Sequence, residues 1–436
     1  MYNNAIPGFP GKPFRYRYKT DYRLDHSRKK IMQIKEQRTG VKDDRYFRRD
    51  RKLPFLSVFY TILDVGRETL QKKLDRCMKS VGWKRCTSEV SQQAFSKARS
   101  HMDHTGFEEL FRSMVEFDNM SEELCLCEEL EGYIVVAVDG TKVSLPNLAE
   151  FRGRYFTTGA GATSPTALAS TCVSVTDGRV LDAVWSEKCD ERKCAEHHME
   201  TLERYFGDGG TTVMLLMDRG YPSSAFISLI YEHGFAFLMR CKDGMNKDVA
   251  GLPEDYDGTV EFEGRSVRCV RFHLPSGQLE TLLTSDMEMG VEDLKNLYFK
   301  RWVAEEKYLT LKKRLELENF TGKTENSVLQ DFWATLCADY YLWMFEVEAN
   351  EQIREDRKEK DNKYEYMMNR SMFVCTLKEK LIRALSCPYK RRRTLLYDEM
   401  IEDARKHVVA IRPNRTTPRA KNKRKTEYSF NNKHNC

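Results

Sequence analysis

The chain has 436 residues, 32% charged and 41% hydrophobic, with a formal net charge of +6. No run of about 18 apolar residues occurs, which excludes a transmembrane helix, and the polar N-terminal stretch MYNNAIPGFPGKPFRYRYKT lacks the apolar core of a secretory signal. The 13 cysteines are odd in number and scattered, so they read as free thiols of a protein expected in a reducing cytoplasm, with no membrane partner.

Charge is unevenly distributed. Residues 1–52 carry 16 Lys/Arg against 6 Asp/Glu, residues 388–436 carry 14 against 5, and the middle is left at −13. Basic ends around an acidic body are the pattern of a polyanion binder whose arms make the electrostatic contact. Residues 1–54 read as a basic arm, because Pro7, Gly8, Pro10, Gly11 and Pro13 interrupt regular structure. Within it Arg15, Tyr16, Arg17 and Tyr18 interleave cations with aromatics, suited to phosphate and base contact.

Residues 55–130 read as a helical domain. Leu70, Leu74 and Cys77 form one apolar stripe, and Phe107, Leu110, Phe111 and Met114 form another. Between them TSEVSQQAFSKARSHM (Thr87 to Met102) fits a helix-turn-helix that presents Lys97 and Arg99 to DNA, or a plain helical scaffold.

Residues 131–387 change texture. Short apolar runs from Tyr133, Leu168, Val180, Val213 and Phe235 read as strands, with a hairpin turn at Asp177-Gly178. Asp190 to Phe206 and Pro222 to Glu232 read as helices. The order β-β-β-α-β-α-β describes an α/β domain, a mixed sheet flanked by helices. Residues 242–287, with four glycines and alternating runs, read as a β-rich insertion; residues 325–386 return to helix. Residues 388–436 read as a basic C-terminal tail.

Two strand runs end in aspartates, Asp139 and Asp218. A third carboxylate, Glu305, lies in Asn296 to Leu315, which reads as one helix. At the helical period, Tyr298, Arg301, Glu305 and Lys312 share one stripe about 21 Å long. Such a stripe is either a solvated charged face or a grip on a nucleic-acid backbone with a metal at its middle. Three carboxylates without His or Cys make a hard-oxygen site, suited to a pair of Mg²⁺ or Mn²⁺ ions in phosphoryl transfer. The run CDERKCAEHH (Cys189 to His198) offers a rival zinc site, against the plainer reading of a helix packed on the sheet.

The spacing Tyr298, Arg301, Glu305, Lys312 resembles the Tyr-x2-Arg-x3-Glu-x6-Lys signature of bacterial insertion-sequence transposases of the Asp-Asp-Glu class, more narrowly the insertion sequence four family. VDGTKVSLP, MDRGYPSSAFISLIYEHGFAFLMR, VSQQAFSKAR and RPNRTTPR are similar to other blocks of that family. The resemblance implies a ribonuclease H-like catalytic domain preceded by a helical DNA-binding domain. It also implies Asp139, Asp218 and Glu305 as metal-holding catalytic residues, with Tyr298, Arg301 and Lys312 gripping DNA. Arg219 and Tyr221 would support the second aspartate. The implied activity is cleavage of double-stranded DNA at inverted-repeat ends and joining of the 3′-hydroxyls to target DNA, by a homodimer. Some relatives use a Trp of the β insertion to handle a flipped base. No Trp lies between Trp185 and Trp302 here, which leaves Phe262, Phe272 or His273 as substitutes.

Overall fold

The computed structural model describes residues 13–48, 53–64, 69–80, 90–119, 129–157, 164–207, 210–242 and 247–412. The chain divides into two units, His104–Tyr340 and a second made of Met1–Asp103 with Tyr341–Cys436.

The first unit is built on a mixed sheet. Its strands are β1 (Glu129–Leu130), β2 (Tyr133–Ser144), β3 (Phe156–Thr157), β4 (Pro165–Ser174), β5 (Val180–Ser186), β6 (Val213–Met217), β7 (Ala236–Cys241), β8 (Tyr256–Phe262), β9 (Arg265–His273) and β10 (Leu279–Thr284). The order is β3-β4-β2-β6-β7-β10-β9-β8, with β1 on the edge of β2 and β5 on β4. The central pairs β2–β6 and β6–β7 are parallel and the others are antiparallel.

The sequence explains why β6 sits at the centre. Val213 to Met217 is apolar at every position and buried at every position, as a strand covered on both faces requires. Alternation then sorts the side chains: Val136, Val138, Leu215, Met217, Phe237 and Met239 join one core. Helix Glu191–Phe206 adds Met199 and Leu202 to that core, and helix Ser224–Glu232 adds Phe226, Ile227 and Ile230. The β4–β5 hairpin turns through Gly178, whose φ of +71° only glycine adopts without strain.

Several expectations are corrected. Residues 242–287 contribute strands β8 to β10, which extend the main sheet: β10 pairs antiparallel with β7, from Thr281–Cys241 to Thr284–Leu238. The free edge of β7 takes them up, and the edge passes outward to β8. The helix expected from Pro222 begins at Ser224 instead. The Ser223 hydroxyl caps it by accepting from the Phe226 amide at 3.2 Å, and Pro222 lies before the cap.

The second unit is helical. It contains helices Pro13–Gln37, Phe55–Leu63, Leu70–Ser80, Gln92–Ser100, Arg370–Ser386 and Lys390–Lys406, and the strand pair Glu365–Met368 with Val408–Ile411. Residues 13–37 are therefore a helix, not an extended arm. Pro13 occupies its first position, where a missing N–H costs nothing, and Leu24, Ile31 and Ile34 are fully buried. Residues 1–12 and the side chains of Arg15 to Tyr18 lie outside the described residues. The C-terminal stretch is likewise partly folded: Lys390 to Arg393 opens a helix, and buried Arg393 donates to Asp25 at 2.9 Å. Residues 413–436, with most of RPNRTTPR, lie outside the described residues. Helix Thr105–Asn119 falls in the sheet unit, and residues beyond Tyr340 fall in the helical one.

Candidate active site

Asp139 does not end its strand; β2 continues to Ser144. It marks instead the place where β2 leaves β6. Parallel pairing runs from Ile134–Val213 to Ala137–Leu216, whereas pairing with β4 continues through Asp139–Thr171. Asp218 immediately follows the last residue of β6. Two more steps of the same register would set Asp139 opposite Asp218, so both lie just past the carboxyl end of the β2–β6 parallel pairing, where sites in such sheets form. Each carboxylate is oriented by its own turn: Asp139 accepts from the Gly140 amide at 2.9 Å and Asp218 from the Gly220 amide at 2.7 Å.

The stretch expected as one helix is broken in style. Helix Val291–Phe299 is followed by tight i to i+3 bonding through Lys300, Arg301, Val303 and Ala304, then by helix Trp302–Leu309 and a π-helical turn Thr310–Arg314. Three-residue turns rotate faster than an α-helix and π turns slower, so the stripe is kept only piecewise. Arg301 Nη2 donates to Glu305 Oε1 at 2.8 Å, and its Nη1 lies 3.7 Å from Asp139 Oδ2. The Arg301 guanidinium is 5.8 Å from the centre of the Tyr298 ring. Lys312 turns to β2, donating to the Lys142 carbonyl at 2.5 Å and standing 3.3 Å from Glu318.

Electrostatics bind these groups into one site. Burial pushes Asp139 up to about 6; Arg301 opposes the rise, while Asp218 and Glu305 add to it. Tyr298 is pushed up to about 12, chiefly by burial, with Asp218 among its charged neighbours. Among the described residues no three His, Cys, Asp or Glu side chains stand close enough to hold an ion as they are. Among the described residues the cation paired with Asp139 and Glu305 is Arg301 itself.

A residue with no sequence signal holds the site in register. Tyr308, one turn beyond Glu305, donates to the Asp139 carbonyl at 2.6 Å and accepts from Thr171 at 2.9 Å. Behind it lies a buried chain: Ser170 Oγ is 3.0 Å from His198 Nε2, His198 Nδ1 is 2.6 Å from Asp182, and Arg112 is 2.7 Å from the other Asp182 oxygen. Ser170, His198 and Asp182 are all inaccessible to solvent, so this Ser-His-Asp arrangement braces the fold rather than attacking a substrate.

The other expected site residues fall out differently. Lys97 is exposed on helix Gln92–Ser100 in the second unit, but Arg99 is only 5% exposed. It lies four residues beyond buried Phe95, on the face turned inward, and is not available to DNA. The zinc alternative fails because His198 is committed to Asp182 and Ser170 while His197 points to Glu200. Phe262 and Phe272 are buried, so neither is placed to stack on a base. Phe299 and Trp302, beside Arg301, are 77% and 45% exposed.

Residues 130–338, which include every site residue of the sheet unit, match the family model described as a transposase DDE domain. The site thus lies within the segment that is similar to that family model. A solved structure, the cryo-EM structure of piggyBac transposase synaptic complex with hairpin DNA, aligns over 92% of this chain and 79% of that one, at 10% identity and a TM-score of 0.43. No curated protein matches the chain. Among the described residues no helix is long and apolar enough to cross a membrane.

Proposed function

We propose that the chain is a DNA transposase of the insertion sequence four type, with a ribonuclease H-like catalytic domain. It binds the ends of its element, cleaves them by metal-assisted hydrolysis and transfers the 3′-hydroxyls to target DNA. What supports this reading is the parallel register of β2 and β6, which carries Asp139 and Asp218 to matching positions just past their paired segment, with Glu305 tied to Asp139 through Arg301.

The residues fit divalent ions by donor chemistry, since all three are hard oxygen donors, and Arg301 already shows that a cation is favoured between Asp139 and Glu305. Asp139, Asp218 and Glu305 would hold Mg²⁺ or Mn²⁺, which when bound would supply activation of water or a 3′-hydroxyl and stabilisation of the leaving oxygen. The chain's own residues do the rest. Arg301 offers a planar fork to a phosphate, Lys312 a point charge, and Tyr298 a hydroxyl and a ring face beside them. The exposed rings of Phe299 and Trp302 suit an unstacked base next to that phosphate. Lys97 and the basic termini add sequence-independent contact. A homodimer on paired ends fits the need for two cleavages.

The test is Mg²⁺-dependent cleavage of a duplex carrying an element end, by wild type and Glu305→Gln. Cleavage by the wild type alone, with joined products on a target plasmid, is the expected result. Cleavage without joining reduces the protein to a nuclease. Salt-dependent binding with no cleavage in any metal makes it a DNA-binding protein and overturns the proposal.

A further inference from the structure

Glu191 opens helix Glu191–Phe206, one residue after the capping Asp190. An acid in a first turn is ordinary, because the helix dipole favours it. Its surroundings are not ordinary. The side chain lies against two glycines, and each belongs to one of the aspartate segments. A Cβ on Gly140 would meet Glu191 Cγ at 3.4 Å and Oε1 at 3.5 Å. A Cβ on Gly220 would meet Glu191 Oε2 at 3.0 Å and Asp218 Oδ1 at 3.1 Å. The Glu191 and Asp218 oxygens therefore lie within about 6 Å of each other, across a point that glycine keeps clear.

The placement is fixed by the next residue. Arg192 donates to the carbonyls of Tyr221 at 2.9 Å, Pro222 at 3.2 Å and Gly220 at 3.3 Å. This fork bolts the start of the helix to the turn that carries Asp218. Among the described residues the half-buried Glu191 carboxylate has no hydrogen-bond or ion-pair partner within 4 Å, although the Lys142 and Arg192 charges act on it. Burial raises its pKa and the Asp218 charge adds to the rise, while Lys142 and Arg192 oppose it.

An independent feature points to a ligand here. The Tyr221 side chain is fully buried and its hydroxyl has no hydrogen-bond partner. The acidic side chains acting on it are Glu191 first, then Asp139, then Asp218. A buried hydroxyl beside three carboxylates and bonded to none of them is an unmet demand that an ion's bound water would satisfy.

We propose that Glu191 is a fourth carboxylate of the metal site, sharing an ion with Asp218 and directing its bound water to the Tyr221 hydroxyl. The inference rests on the reading of Asp139, Asp218 and Glu305 as a metal site. It adds a ligand from a different element, so that the site draws on both aspartate turns, the Glu305 helix and the start of the Glu191 helix.

The experiment is Mn²⁺ binding to the full chain without DNA, by isothermal titration and by the electron paramagnetic resonance of free Mn²⁺. Wild type is compared with Glu191→Gln, Asp218→Asn and Gly220→Ala, each checked for folding by circular dichroism. Glu191→Gln and Asp218→Asn are each expected to weaken the same binding step tenfold or more. Gly220→Ala, which presses a methyl between the two carboxylates, is expected to weaken it too and serves if Glu191→Gln does not fold. Wild-type binding by Glu191→Gln alongside loss in Asp218→Asn overturns the role of Glu191 and leaves the metal site standing. Wild-type binding by both variants overturns the metal reading itself. Loss in Glu191→Gln alone shows that the two carboxylates share no ion, and also overturns the proposal.

Discussion

Arg301 is bonded to Glu305 at 2.8 Å, one turn along the same helical stretch, and this bond holds its guanidinium 3.7 Å from Asp139. The arrangement puts a side-chain cation where the proposed function requires metal and DNA. It also leaves the buried Arg301 Nε without an acceptor, so the present geometry spends only part of the guanidinium. Arg301→Ala separates the two roles. In EDTA the variant is expected to be less stable by about 1–3 kcal/mol, as its carboxylate partners lose a charged hydrogen bond. Without DNA it is expected to bind Mn²⁺ more tightly than wild type, because no side chain competes for the carboxylates, while DNA cleavage falls. Thermal unfolding in EDTA and titration calorimetry check this; unchanged Mn²⁺ affinity would show that the guanidinium does not hold the ion's place.

The partly buried Asp139 gives a pH signature. Its folded pKa, about 6, lies above the ordinary carboxylate value of 3.8, so the folded state holds the proton more tightly than the unfolded state. The stabilising effect of that proton is full below about pH 4 and is lost as pH rises through 6. Asp139→Asn removes the cost of ionisation. Without metal it is expected to be more stable than wild type at pH 8, by up to about 3 kcal/mol, with the gain fading as pH falls toward 4. Urea denaturation across that range measures it, and a gain independent of pH would assign the effect to something other than the buried charge.

These expectations show which parts of the site were legible in sequence. Asp139 and Asp218 stood out because each follows an apolar run, and Glu305 because its spacing to Tyr298, Arg301 and Lys312 is a pattern along one stretch. That the two aspartates fall at matching positions depends on parallel pairing of β2 with β6, between residues 79 apart in sequence (213 − 134), which periodicity does not encode. Tyr308 and Glu191 left no signal, since each reaches the site through packing: Tyr308 through a bond to a backbone carbonyl, Glu191 through space left by Gly140 and Gly220. Arg99 was misread for the opposite reason. Its charge is visible in sequence, but the helix phase that buries it is set by Phe95. Strands β8 to β10 were recognised as strands but not as part of the main sheet, because their alternation gives the face and not the partner.

Tyr308 makes a sharper prediction than its burial alone suggests. Its hydroxyl joins the Glu305 helix to the Asp139 carbonyl at 2.6 Å and to the Ala169 carbonyl at 3.1 Å. Tyr308→Phe keeps the ring and removes that joint. It is expected to cost about 1–3 kcal/mol, the penalty for stranding buried polar partners. Single-turnover cleavage is expected to fall while DNA affinity is unchanged, because the loss is of alignment between Asp139 and Glu305. Equal losses of binding and cleavage would assign Tyr308 to general stability instead.

The second unit offers a paired comparison on one short helix. Lys97 is exposed and Arg99, two residues on, is buried, although both are cations in the segment expected to touch DNA. If Lys97 meets a phosphate, Lys97→Ala weakens binding to every duplex alike and lowers the slope of log affinity against log salt by about 1. It leaves the melting temperature unchanged. Arg99→Ala is expected to do the reverse, lowering the melting temperature while the salt slope of the remaining folded protein stays at the wild-type value. Fluorescence anisotropy over a salt series, with thermal unfolding of both variants, decides the matter. A salt slope unchanged in Lys97→Ala would remove this helix from the DNA contact and leave that role to the basic termini and the catalytic unit.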